Sequence, residues 1–287
     1  MTYFLNLRAS AVGGILAAGV FAWNDTLYIE PSRLAEEARG RDVLLVTHGF
    51  NVSLPDGISS LQNWERLLTL NSNTLFIGVL WPGDSRWAPV VDYPFEGDEA
   101  IGAGKMLAPF IDAWLKDATS ISFVSHSLGA RFVLETIRWM QERARRVVLM
   151  AGAIDDTCLT GEYAKAASKI DELSILASRD DHVLSLAFPI GNFLAGIVTR
   201  GSPYWRAALG REGPSSGAIP CLKGPWQIPD AWQFDHGSYL PHVPTQQVFL
   251  VPTNLPPPPP APLAPLPITF PASQPSWTAG FCSTRLA

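Results

Sequence analysis

The segment Ile121-Ser-Phe-Val-Ser-His-Ser-Leu-Gly-Ala130 carries the side chain with the clearest chemical potential, the hydroxyl of Ser127. An apolar strand runs there straight into a helix, with Ser127 at the junction. A serine on so sharp a turn is held in a strained conformation with its hydroxyl presented outward. The residues two before and two after it must then be small. Ser125 and Gly129 meet that requirement, in a small-x-S-x-G variant of the G-x-S-x-G pattern. A helix N-terminus beneath the hydroxyl favours an alkoxide and a negatively charged tetrahedral intermediate. The competing structural reading is a helix N-cap serine, contributing about 1 kcal/mol of stability and no chemistry. Ser125 lies inside the strand and is the poorer nucleophile.

Such a nucleophile needs N–H donors for the oxygen that becomes charged. Val43-Leu-Leu-Val-Thr-His-Gly-Phe-Asn51 is a second buried strand that ends in His48-Gly49. The loop after it and the residue after the serine are the expected donors, through the backbone N–H groups of Phe50 and Leu128. Gly49 fits a backbone that turns sharply and comes close to a substrate carbonyl. Asn51 is a candidate to orient the loop or bind substrate, against the plainer reading of a turn-forming residue. His48 precedes the serine at a strand end, where a structural hydrogen bond is expected.

An acid and a base should follow in the order Ser, Asp or Glu, His. After the apolar run Leu173–Ala177 comes Ser-Arg-Asp-Asp-His-Val-Leu184, a polar turn where the acid belongs. Asp180 and Asp181 compete, and Asp181 is preferred because Val183 and Leu184 restart structure directly after it. Of the downstream histidines, His236 in Phe-Asp-His-Gly-Ser-Tyr239 occupies a polar loop able to reach the serine, whereas His242 is wedged beside Pro241. The base must reach the hydroxyl and be held in one tautomer by the carboxylate. The competing reading of His236 is a surface loop histidine.

The elements that must position these groups alternate. Short, nearly continuous apolar runs at Val43–Thr47, Thr74–Leu80, Ile121–Ser125, Val147–Met150 and Leu173–Ala177 read as parallel strands buried on both faces. Amphipathic stretches at Ile58–Leu70, Asp98–Lys116, Leu128–Arg143 and Glu162–Lys169 read as the crossover helices. The expected fold class is therefore α/β, a mostly parallel central sheet flanked by helices, occupying residues 1–250. Near the N-terminus, Arg8 followed by the apolar run Ala9–Trp23 allows a secretory signal. The competing reading is two strands, Tyr3–Arg8 and Ile15–Trp23, joined by Gly13 and Gly14. A cytoplasmic location is expected, with export as the alternative.

Composition narrows the function. With 47% hydrophobic residues and a formal net charge of −5, the chain can build a core and offers no basic surface for nucleic acid. Cys158, Cys221 and Cys282 lack zinc-type spacing, so no metal is expected, and serine chemistry requires no cofactor. No apolar run is long enough to span a bilayer. Of the 25 prolines, 11 lie between Pro252 and Pro275, which makes residues 251–287 a proline-rich tail or strap rather than a packed element.

Taken together these motifs resemble the α/β-hydrolase superfamily, and most closely a group of bacterial hydrolase-like proteins of undetermined physiological role. The resemblance runs from about Val43 to Tyr239 and rests on His48–Asn51, Trp81-Pro82, Ser125–Gly129, Asp181–Leu184 and His236–Tyr239, in that order. It implies a Ser127-Asp181-His236 hydrolase of carboxylic esters or similar acyl compounds. It departs from the family pattern at Ser125, where glycine is usual.

Residues 185–232 exceed a simple connection and carry Phe188, Phe193, Trp205, Trp226 and Trp232, so they are a candidate cap over the serine, or a satellite core. Trp81, Trp87 and Tyr93 are candidates to line the same mouth. The expected function is an esterase or lipase-like hydrolase acting on a small acyl ester. A thioesterase or amidase would use the same residues, and a non-catalytic scaffold on the same fold is the alternative from another class.

Overall fold

The computed structural model describes residues 2–10, 15–25, 27–68, 70–83, 89–185, 207–215, 219–223 and 227–239. Among them, nine strands form one sheet: β1 (Tyr3–Arg8), β2 (Leu16–Asn24), β3 (Leu27–Tyr28), β4 (Asp42–Thr47), β5 (Thr74–Leu80), β6 (Ser120–His126), β7 (Ala144–Met150), β8 (Ile170–Leu176) and β9 (Leu222–Lys223). Their spatial order is β3-β2-β1-β5-β4-β6-β7-β8-β9. From β1 to β9 all pairings are parallel, while β2 runs antiparallel to both β1 and β3. The described helices are α1 (Pro31–Ala38), α2 (Leu54–Leu67), α3 (Pro89–Trp114), α4 (Gly129–Trp139), α5 (Ala164–Ala167) and α6 (Leu209–Glu212), with a 3₁₀ turn at Asp230–Trp232.

The apolar runs became central strands for the expected reason. Leu44, Leu45, Val46, Ile77, Phe123 and Leu149 are almost completely buried, and a parallel sheet covered by helices leaves neither strand face to water. Each such side chain contributes roughly 1.5–3 kcal/mol relative to exposure. The two-strand reading of the N-terminus describes the chain: β1 is wholly buried between β2 and β5, and β2 returns beside it. The expected Gly13-Gly14 turn lies outside the described residues.

Helix boundaries differ from the sequence reading by up to a few turns. α2 begins at Leu54 rather than Ile58, because the Ser53 hydroxyl accepts the Asp56 N–H and Pro55 suits the first turn. α3 starts well before Asp98. α4 stops at Trp139 instead of Arg143, since Ala144 already opens β7 and the Gln141 N–H is taken by the Asp112 carboxylate. Only Ala164–Ala167 of the stretch 162–169 is helical. α1, β3 and β9 were too short to announce themselves by periodicity.

Strand register brings the chemistry to one edge. Thr47 pairs with Ser125, His126 with Met150, and Met150 with Leu176. The loops that follow β4, β6, β7 and β8 therefore emerge side by side. Parts of the candidate cap segment belong to the body of the domain: β9 extends the sheet beyond β8, and the Gly210 N–H donates to the Gly152 carbonyl. Trp232 packs on the core with its ring 6.1 Å from that of Phe234, while Phe188, Phe193, Trp205 and Trp226 lie outside the described residues, as do His242 and the tail 251–287. No described helix is long and apolar enough to cross a membrane.

Candidate active site

Ser127 follows the last residue of β6 and lies two residues before the first residue of α4, whose N-cap is Leu128, with φ of 52°. This left-handed backbone is costly for a serine and marks stored strain at the turn. The turn is held from below: the Ser127 N–H donates to the Met150 carbonyl at 2.9 Å, and the Ser127 carbonyl accepts the Ala130 and Ala153 N–H groups, each at 3.1 Å. Ser125, where glycine is usual, is fully buried between Thr47 and Leu149 of the flanking strands, and the turn forms regardless.

Gly129 has no such latitude, because a Cβ there would stand 2.5 Å from the His48 carbonyl oxygen. Gly49 is equally constrained: its Cβ would stand 2.8 Å from the Ser127 Cβ. The loop after β4 therefore lies directly against the serine. Among the described residues nothing accepts the Leu128 N–H. Phe50, the second candidate donor, follows Gly49 in that loop. Asn51 has φ of 56° and donates its N–H to the Gly83 carbonyl, so its turn-forming role is in place; its side chain is exposed.

Three groups hold this loop. His48 Nδ1 lies 2.9 Å from the Gly49 carbonyl, the structural hydrogen bond expected of it. Trp81 Nε1–H donates to the His48 carbonyl at 3.1 Å, and its ring stacks between His48 at 5.6 Å and Phe132 at 6.0 Å. Fully buried, Trp81 supports the loop from beneath and does not line an open mouth, as the sequence reading had it; Trp87 and the Tyr93 side chain lie outside the described residues. The buried Arg8 guanidinium reaches from β1 to the Val52 and Trp81 carbonyls, each at 3.0 Å. A fixed fork of donors suits such paired carbonyls.

The candidate acid and the candidate base meet the serine. His236 Nδ1 lies 2.8 Å from Asp181 Oδ2, and His236 Nε2 lies 3.0 Å from Ser127 Oγ. A carboxylate only accepts, so the proton sits on Nδ1 and Nε2 offers its lone pair to the serine hydroxyl. Asp181 is completely buried, and its Oδ1 accepts the Leu184 N–H at 2.8 Å, so both carboxylate oxygens are engaged. Asp180, the competing acid, points its backbone N–H at Ser178 Oγ and makes no contact with His236 among the described residues.

Further ties bind the two loops. Ser178 Oγ–H donates to the Phe234 carbonyl at 2.6 Å, and Asp235 Oδ1 accepts the N–H groups of His236 at 2.8 Å and His182 at 3.2 Å. Ser178, Asp235, Arg8 and the supporting role of Trp81 escaped the sequence reading, because each acts across a distance in sequence that periodicity does not encode. So did His126, whose ring lies 4.8 Å from that of His236. Its place inside the S-H-S motif was the available signal. Burial, with the neighbouring His236 second, pushes its pKa down to about 3.

A mostly parallel sheet whose strand-to-helix turn carries a strained serine, with an adjoining glycine loop, defines an α/β hydrolase. The chain belongs to the family described as "Alpha/beta hydrolase of unknown function (DUF900)", which it matches over residues 31–244. Among solved structures it is similar to a lipase-esterase related protein from Clostridium acetobutylicum ATCC 824, with 18% identity, 46% of this chain and 50% of that chain covered, and a TM-score of 0.28. It is also similar to esterase PE8, with 15% identity, coverage of 57% and 80%, and a TM-score of 0.33. A third is the Pyrococcus furiosus esterase Pf2001, with 12% identity, coverage of 62% and 73%, and a TM-score of 0.32. The match spans half the length of the Clostridium protein. No curated protein matches the chain.

Proposed function

We propose that this protein is a serine hydrolase that cleaves carboxylic esters of small acyl compounds through an acyl-enzyme. The observation that carries the reading is the position of His236, 3.0 Å from the Ser127 hydroxyl on one side and 2.8 Å from the Asp181 carboxylate on the other. Ser127 Oγ attacks the ester carbonyl carbon while His236 Nε2 takes the hydroxyl proton. Asp181 keeps His236 in the Nδ1–H tautomer and stabilises the imidazolium that forms.

The carbonyl oxygen becomes negatively charged and is received by the Phe50 N–H, beside Gly49 in the loop after β4, and the Leu128 N–H at the N-terminus of α4; Asn51 shapes the edge of this site. One such donor is worth about 3 to 4 kcal/mol in the transition state. Collapse of the intermediate expels the alcohol, which takes the proton from His236. Water, deprotonated by the same imidazole, then releases the acid and restores Ser127. A thioester or amide would be opened by the same steps.

Hydrolysis of p-nitrophenyl esters of graded acyl length, alongside Ser127→Ala, tests this. Turnover that falls by about 10⁶-fold to background in a folded Ser127→Ala protein is expected. A parent protein that neither turns over these esters nor reacts with a fluorophosphonate would replace the reading with that of a non-catalytic scaffold.

A further inference from the structure

His126 is nearly fully buried on the last position of β6, paired with Met150 of β7, and immediately precedes Ser127. We propose that His126 is the positioning residue for the base loop: its Nε2–H donates to the main-chain carbonyl of His236 at 2.7 Å and so ties the base to the nucleophile's own strand. The inference rests on the reading of His236 as general base. A carbonyl can only accept, so this contact requires the proton on His126 Nε2 and leaves Nδ1 bare. That bare edge faces the other loop, since a Cβ on Gly49 would stand 3.2 Å from Nδ1. The ring is therefore wedged between the glycine loop and the base loop, with Tyr239 6.2 Å away on the base-loop side.

The contact complements the other ties described above. The Ser178–Phe234 and Asp235–His182 hydrogen bonds join the base loop to the acid loop. Neither fixes the distance from imidazole to serine, whereas a bond from the residue adjoining Ser127 does. His126 also has to be neutral to serve there. A second imidazolium 4.8 Å from the His236 ring would oppose the proton transfer on which catalysis depends. Burial keeps it uncharged at working pH, with the His236 imidazole acting in the same direction and the hydrogen bond to the His236 carbonyl opposing only in part.

The test compares His126→Leu, which removes the donor, with His126→Gln, whose amide can stand where Nε2 stands. The readouts are kcat and KM on p-nitrophenyl acetate and the downfield proton resonance of the His236–Asp181 hydrogen bond. We expect His126→Leu to lower kcat about a hundredfold with KM little changed, as a misplaced base does, and to broaden or abolish the resonance. His126→Gln should recover most of both. If the leucine variant does not fold, His126→Asn, with an amide too short to reach, takes its place. A folded Leu or Asn variant that keeps both kcat and the resonance, or a Gln variant no better than Leu, overturns the inference and leaves the triad standing. A parent protein with neither the resonance nor fluorophosphonate reactivity overturns the triad reading, and the inference with it.

Discussion

Gly129 and the His48 carbonyl are in such close approach that a Cβ on the glycine would stand 2.5 Å from that oxygen. The elbow that carries Ser127 and the loop that carries Gly49 and Phe50 are thereby packed backbone to backbone, and the two candidate oxyanion donors come from the two sides of this contact. Neither partner can yield cheaply, because the oxygen is main chain and is also the acceptor for Trp81 Nε1–H.

Gly129→Ala is accordingly expected to push the loop away from the elbow. Overpacking of this kind costs about 1–3 kcal/mol of stability, and displacing a donor costs about 10²–10³ in kcat. Thermal melting together with the rate of fluorophosphonate labelling checks both. A labelling rate equal to the parent's would show that the contact does not set the donor geometry.

Asp181→Asn should lower kcat by about 10⁴-fold in a protein that still folds, because an amide can no longer hold His236 in the required tautomer. Asp180→Asn, at a position with no contact to His236 among the described residues, should stay close to the parent. Steady-state kinetics of the two variants side by side decide the assignment, and the reverse order of effects would transfer the role to Asp180.

Acid should destabilise the fold through His126. Its pKa lies at about 3 in the folded chain and near the ordinary value of 6.5 once unfolded. Between those limits the unfolded state binds the extra proton, so stability falls as pH drops from about 6.5 toward 3, by roughly 1 kcal/mol per pH unit from this group. Urea unfolding at stepped pH measures the slope, and His126→Gln should flatten it. An unchanged slope in that variant would mean that other groups carry the acid sensitivity.

Trp81→Phe keeps an aromatic ring between His48 and Phe132 but loses the Nε1–H bond to the His48 carbonyl, whereas Trp81→Ala loses both. Expected stability losses are about 1–3 kcal/mol for the first, from the lost hydrogen bond and lost volume, and about 3–5 kcal/mol for the second. Denaturant melts give these values. Equal losses would mean that stacking alone supports the loop.

Much of the fold was readable from residue order because its signals are local. Continuous apolar runs mark strands buried on both faces, and all five runs lie in central or near-central strands of the observed sheet. The small residues at positions 125 and 129 mark a turn that only a close strand–helix approach demands. The segments that went unseen, such as β9 and α1, are too short for periodicity to accumulate. Helix ends shifted where a cap or a cross-chain bond, as at Ser53 and Gln141, overrode the pattern.

By itself the sequence determined the alternation of strands and helices and the strained serine turn, since each depends on neighbours a few residues away, and it set the order of Ser127, the Asp180–Asp181 pair and His236. Tertiary structure alone decided which of two adjacent aspartates faces the imidazole, which side of Trp81 meets the loop, and that His126 bridges to His236. Those outcomes depend on sheet register and on groups far apart along the chain, from Trp81 and His48 at 33 residues to Asp181 and His236 at 55 and His126 and His236 at 110. Hydrogen bonds over such spans form only after burial of the sheet has set the distances, and no local pattern records where they close.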